Sequence, residues 1–252
     1  MLYLTASLFF IEKTIMSHSA IIFTYLLVTM LNLWACYIQN ENLNFYSKPL
    51  LMPLLSLWFY LKTKEHPSLF RNLILGVLFF SWGGDVLLLF VQTQGEHFFL
   101  MGLLSFLMTH LLYATAFFKI VSLKKGFLQK RKWIVIPFLF FYSAFNYYLL
   151  PDVATDMQAP ILIYSSVIIL MVLAALNWKD SVAALVFQFV FTGAVAFMLS
   201  DMIIALDKFK APILNAGVWI MVLYLFGQYR IVKGCQYFIT NDLQNEKNTN
   251  VI

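Results

Sequence analysis

Apolar residues run through this chain in blocks of about 20, the length an α-helix needs to cross the hydrocarbon of a bilayer. The blocks predict eight spans, at 19–38, 48–62, 71–91, 98–119, 133–150, 160–177, 182–206 and 212–232. Pro49, Pro160 and Pro212 stand at the starts of three of them, where a missing N–H does no harm. The fold class is therefore an all-α integral membrane protein, a bundle of about eight transmembrane helices over residues 19–234. Residues 1–18 are set apart as an N-terminal extension, in which apolar LYLTASLFF is followed by Glu12 and Lys13. Residues 235–252 form a polar C-terminal tail, expected to fray from Thr240 onward.

Composition sharpens this reading. The 252 residues are 62% hydrophobic and only 12% charged, about half the charged share of a globular domain. The basic residues sort by loop. With both termini placed in the cytoplasm, 14 of the 17 Lys and Arg fall on the inner side, leaving Lys48, Lys208 and Lys210 outside. In a bacterial cell the host membrane would be the cytoplasmic (inner) one. The net charge of +5 calls for no nucleic-acid partner, because no basic stripe is interleaved with aromatics. Membrane lipids are the expected surroundings. Cys36 and Cys235 fall near opposite membrane faces, which excludes a disulfide between them.

Against this apolar background two carboxylates stand out. Asp85 interrupts the third span, in SWGGDVLLLF (81–90), and Asp201 interrupts the seventh. An acid in hydrocarbon costs a few kcal/mol or more and persists only where it faces protein or a wet cavity. Both spans run from inside to outside, and both acids sit roughly 8–9 Å below the outer end of their helices. Two acids at one depth can share a cavity. Gly83, Gly84, Gly193, Ala194 and Ala196 allow their helices to approach closely. Other polar residues stand in the spans: Lys48, which could reach either acid by snorkelling, His110 near mid-membrane and Tyr113 in span four, Asn146 near the outer end of span five, Ser200 beside Asp201, and Tyr224 and Gln228 in span eight. A structural reading stands beside the functional one, with the acids as a hydrogen-bonded clasp and Lys48 as an interfacial anchor.

Several chemistries drop out. The chain has no GxSxG elbow, no HExxH and no Cys/His cluster. Three of its four histidines, His18, His66 and His97, lie at or near span ends, so no metal is assigned and no cofactor is implied.

Five stretches then carry a resemblance: KPLLMPLL (48–55), GGDVLLLF (83–90), FFLMGLLSFLMTHLLY (98–113), FTGAVAFMLSDMIIA (191–205) and YLFGQYRI (224–231). In this order they resemble the YhhN-like membrane proteins, the lysoplasmalogenase family, over nearly all of the chain from about residue 20. The resemblance implies a membrane hydrolase that cleaves the vinyl ether bond of lysoplasmalogens, giving a fatty aldehyde and a glycerophospho-head group. It makes Asp85 and Asp201 the catalytic pair, and it matches Lys48, His110, Tyr224 and Gln228 to family positions. The substrate would be a lysophospholipid held within the bilayer, its phosphate within reach of Lys48. Vinyl ethers hydrolyse by protonation at carbon, which suits one protonated and one ionised carboxyl. The rival readings are an ion-coupled transporter using the same acids, a non-enzymatic scaffold or receptor, and a zinc-dependent lipid hydrolase, which the histidine placement disfavours.

Overall fold

A computed structural model describes the backbone of residues 2–242 and the side chains of residues 19–241. The helices are α1 (Leu2–Tyr37), α2 (Glu41–Thr63), α3 (Leu69–Leu89), the single turn α4 (Val91–Gln94), α5 (His97–Ile120), the single turn α6 (Phe127–Lys130), α7 (Val135–Leu149), α8 (Thr155–Leu176), α9 (Ala184–Phe209) and α10 (Ala216–Tyr237). Short 3-10 turns flank α7, and a π turn, Phe238–Asp242, follows α10. Among the described residues there is no strand. The side chains of the extension 1–18, and residues 243–252 of the polar tail, lie outside the described residues.

Among the described residues, six helical stretches are long and apolar enough to cross a membrane: Ser19–Tyr37, Leu69–Leu89, His97–Ile120, Lys132–Asp152, Thr155–Leu176 and Ala184–Phe209. The other two long helices, α2 and α10, coincide with the second and eighth predicted blocks. They carry more polar residues, among them Glu41, Lys48 and Lys62 on α2 and Gln228, Arg230, Lys233 and Gln236 on α10.

The long helices pack by small residues and by side-chain staples. α9 and α10 meet backbone to backbone: a Cβ on Gly193 would come within 2.7 Å of the Gly227 carbonyl oxygen, and one on Gly227 within 2.9 Å of the Gly193 oxygen. Ser200 adds a hydrogen bond from its hydroxyl to the Ile220 carbonyl, 3.0 Å away. On α3, Gly84 leaves room for the Phe106 ring of α5, which lies 2.6 Å from where a Cβ would stand. α1 and α2 form a hairpin in which the Asn32 amide donates to Asn44 and Ser47, both at 2.9 Å.

α2 holds two prolines, and the chemistry of the second explains a contact. Pro53 has no N–H to offer the Pro49 carbonyl one turn earlier. The Trp82 indole of α3 donates to that carbonyl instead, at 3.0 Å, tying α2 to α3 beside Lys48. At one end of the bundle, Trp178, Phe117, Phe70 and Phe238 form an aromatic cluster, with the Trp178 indole bonded to the Phe117 carbonyl at 2.9 Å. The opposite end carries the turns around 38–40, 90–96, 150–154 and 210–215. Lys48, Asp85, Asp201 and Tyr224 all lie within eight residues of that second end of their helices. α7 is peripheral: of its 15 residues only Asn146 and Leu149 are buried.

Candidate active site

The two acids occupy separate polar centres. Asp201, on α9, makes two hydrogen bonds through the same oxygen, Oδ2. One comes from the Tyr164 hydroxyl of α8 at 2.9 Å, and the other pairs it with His110 Nε2 of α5 at 2.8 Å. Nε2 donates in that second bond when the carboxyl is ionised and accepts when the carboxyl carries the proton. The tyrosine oxygen also lies 3.3 Å from Nε2, and His110 Nδ1 faces the Met171 sulfur at 3.3 Å. Three helices thus converge on one carboxyl oxygen. The imidazole is held from four sides, its ring packed edge-on against Phe197 with centroids 4.6 Å apart.

Asp85, on α3, is 1% exposed. The Tyr224 hydroxyl of α10 donates to its Oδ2 at 2.7 Å, and the Lys48 ammonium of α2 stands 3.6 Å from its Oδ1. Lys48 therefore turns inward to a buried acid rather than outward to the interface. A third chain of polar groups lies alongside. Tyr113 donates to Gln228 Oε1 at 2.7 Å, Gln228 Nε2 donates to Ser81 Oγ at 2.8 Å, and Ser81 meets Thr109 at 3.2 Å. Every polar group in this chain is paired, as burial demands.

An aromatic partition separates the two acids. Phe106, Phe197 and Tyr224 pack edge to face, with centroids 5.9 Å (Phe106–Tyr224), 6.4 Å (Phe106–Phe197) and 5.2 Å (Phe197–Tyr224) apart. Tyr224 holds Asp85 on one side of this layer, and Phe197 supports His110 on the other. Beside Asp201 opens a cavity between α5, α7, α8 and α9, and Asp201 and Tyr164 stand in its wall. The wall is otherwise mostly aliphatic and aromatic, from Leu103, Phe145, Ile168 and Met202 among others. Asn146 and Ser165 add polar groups to it, linked by a Ser165 Oγ to Asn146 Oδ1 bond of 3.2 Å. Asp85 is not in the wall, so the single hollow expected between the acids resolves into one cavity with Asp201 and one closed ion pair with Asp85.

Of the residues singled out from sequence, Asp201 and His110 come together, as do Asp85, Lys48 and Tyr224. Tyr113 and Gln228 pair, Asn146 lines the cavity, and Ser200 serves as the α9–α10 staple. Tyr164, Ser165 and Met171 were not anticipated. Tyr164-Ser165-Ser166 is a polar triplet in an otherwise apolar block, a signal parallel to that of Asp85. Cys36 and Cys235 are both free thiols. Among the described residues no three His, Cys, Asp or Glu side chains gather in one place.

This arrangement sits inside a recognisable sequence. The profile of the YhhN family matches residues 43–235, which include every residue of the two centres. Lysoplasmalogenase TMEM86A of Bos taurus is 31% identical over 197 residues, covering 71% of this chain and 73% of the relative. No solved structure matches the chain. With the family profile spanning most of its length and a curated relative 31% identical over 71% of it, the chain belongs to the YhhN family.

Proposed function

We propose that this protein is a lysoplasmalogenase: an eight-span membrane hydrolase, both termini cytoplasmic, that cleaves the vinyl ether of lysophospholipids from within the bilayer. The observation that carries the proposal is a carboxyl with two polar neighbours, His110 and Tyr164, set into the wall of a cavity that is otherwise apolar. The alkenyl chain lies along the apolar wall and presents its ether to Asp201. The acid form of Asp201 protonates the outer vinyl carbon, and the double-bond electrons form the new C–H bond. The inner carbon and the ether oxygen then share the positive charge of an oxocarbenium ion. The carboxylate left behind faces that cation and takes a proton from water as the water oxygen bonds to the inner carbon. The hemiacetal collapses to the aldehyde, and the glycerol oxygen leaves with the proton.

His110 and Tyr164 fit this cycle as groups that hold Asp201 in both protonation states. The tyrosine hydroxyl donates to the carboxylate, and the imidazole holds or returns a proton at Nε2. Asp85 enters as a positioning residue. Its pairing with Lys48 and Tyr224 fixes the ring that backs Phe106 and Phe197, and these in turn frame the Asp201 centre. Asn146 and Ser165 supply a place for the attacking water in a wall with few other polar groups. The curated relative's printed activity supports the same reaction, and no feature of the cavity favours a transporter.

The test uses purified protein in nonionic micelles with 1-alkenyl-lysophosphoethanolamine, with the aldehyde product measured by mass spectrometry. Asp201→Asn keeps shape and hydrogen-bond capacity but removes the acid, so turnover falls by about 10²–10⁴ while the protein still elutes as a folded monodisperse species. Near-wild-type turnover by Asp201→Asn would refute the mechanism.

A further inference from the structure

The end of α9 beside the cavity carries a charge pattern that the acid/base reading leaves unused. Phe99 and Phe209 stand in the cavity wall near the end of α9, their rings 6.1 Å apart. The Lys208 ammonium lies 5.1 Å from the Phe99 centroid and is gripped by both oxygens of Glu96, at 2.7 and 2.8 Å. A second pair, Lys210 with Asp152, flanks the same helix end. Its lysine sits over Tyr148, a ring outside the cavity wall and 56% exposed.

We infer that the Lys208–Glu96 pair is the head-group subsite, and that it selects a zwitterionic phosphoamine. The inference rests on the lysophospholipid reading above, which seats the chain in the cavity. Spacing supports it first. Lys208 follows Asp201 by seven residues on one helix, a rise of roughly 10 Å. In a lysoplasmalogen the protonated carbon and the phosphorus are seven bonds apart, roughly 8 Å when extended, at the reach per bond of an extended backbone. A lipid with its vinyl group at Asp201 therefore delivers its phosphate to Lys208.

Charge balance supports it second. Phosphate takes the Lys208 ammonium from Glu96, which is 71% exposed on its side chain, and the substrate's own amine then pairs with the freed carboxylate. No charge is left single. A head group with phosphate and no amine would strand Glu96 beside a second anion, and an uncharged glycerol would gain nothing at either end. Selection thus comes from repulsion as much as from attraction.

The experiment measures binding of uncleavable 1-alkyl-glycerophosphoethanolamine to the full chain in nonionic micelles. Radiolabelled ligand is competed by 1-alkylglycerol and by 1-alkylglycerophosphate. Wild type should prefer the phosphoethanolamine over 1-alkylglycerol by about tenfold or more, the effect of one charge-assisted hydrogen bond. Lys208→Gln should erase that preference, and Glu96→Gln should let 1-alkylglycerophosphate compete as well as the zwitterion. Lys210→Gln, with the same charge change at the same helix end, should leave both ratios as they are. Persistence of the preference in Lys208→Gln, or an equal loss in Lys210→Gln, overturns the subsite. Because the ligand is not cleaved, failure of the hydrolase reading would register separately, as a wild-type protein that binds the zwitterion and releases no aldehyde from the alkenyl lipid.

Discussion

Replacing Tyr164 with Phe removes a single oxygen from the Asp201 centre and little else. The ring remains to fill its part of the cavity wall and to pack against His110, whose centroid is 5.5 Å away. What disappears is the 2.9 Å bond from the hydroxyl to Asp201 Oδ2. A hydrogen bond to a charged group contributes about 1.5–3 kcal/mol. In the proposed cycle that bond is strongest once the proton has left for the vinyl carbon, when Asp201 carries full charge in a site with few other donors. The loss therefore falls on the transition state, and each 1.4 kcal/mol is a factor of ten. Turnover should drop about 10–100-fold with KM within a factor of a few, since the hydroxyl is assigned no contact with the bound lipid. Initial rates of aldehyde release over a range of micellar substrate concentrations separate the two parameters. A rise in KM at unchanged kcat would mean that Tyr164 binds lipid rather than supporting the acid. No change in either would remove the three-residue centre from the mechanism.

Two further changes probe the parts around it. Lys48→Met leaves Asp85 buried without its cation, held by the Tyr224 hydroxyl alone, and should lower stability by about 3 kcal/mol, whereas Lys48→Met with Asp85→Leu should regain most of it; thermal unfolding of the two variants measures the difference, and equal loss in both would make the pair more than an ion pair. Ala205→Phe places a ring in the cavity wall between the levels of Asp201 and Lys208, where the glycerol linker lies in the proposed pose, and should lower kcat/KM for long- and short-chain substrates alike at unchanged fold; loss confined to long chains would refute that pose.

The helical blocks were legible because hydrocarbon length and apolar runs obey one rule, and each predicted block falls on a long helix. Their edges were less so. Pro49 and Pro160 mark no starts: α2 begins at Glu41 and α8 at Thr155, because the helices extend into polar sequence past the apolar edge. For α2 the Asn40 side chain caps the Leu43 N–H at 2.9 Å, and an acid follows in its first turn. Pro212 lies in the turn before Ala216. Depth along a helix can be counted from sequence, which is why Asp85, Asp201, Lys48 and Tyr224 share one end of the bundle. Direction around the axis cannot be counted without knowing the neighbours. Phe106 packs against both Tyr224, which holds Asp85, and Phe197, which backs His110. Its ring fits only because Gly84 has no side chain, and no run of apolar letters announces that fit.

That geometry explains how a thin bundle can hold two acids without bringing their charges together. A carboxylate in a low-dielectric interior needs a compensating cation or a set of donors, and the two acids use different solutions. Asp85 has a lysine ammonium and a tyrosine hydroxyl facing it, so its surroundings can be closed. Asp201 has a tyrosine hydroxyl and an imidazole, groups that stabilise the anion by hydrogen bonds yet leave the carboxyl free to hold a proton. In the proposed mechanism it is the second arrangement, the one that borders the cavity, that transfers a proton to the substrate. Had the lysine stood beside Asp201, that acid would be held ionised and could not protonate a vinyl carbon. The separation by Phe106, Phe197 and Tyr224 keeps Lys48 on the side where its charge does no harm to the chemistry.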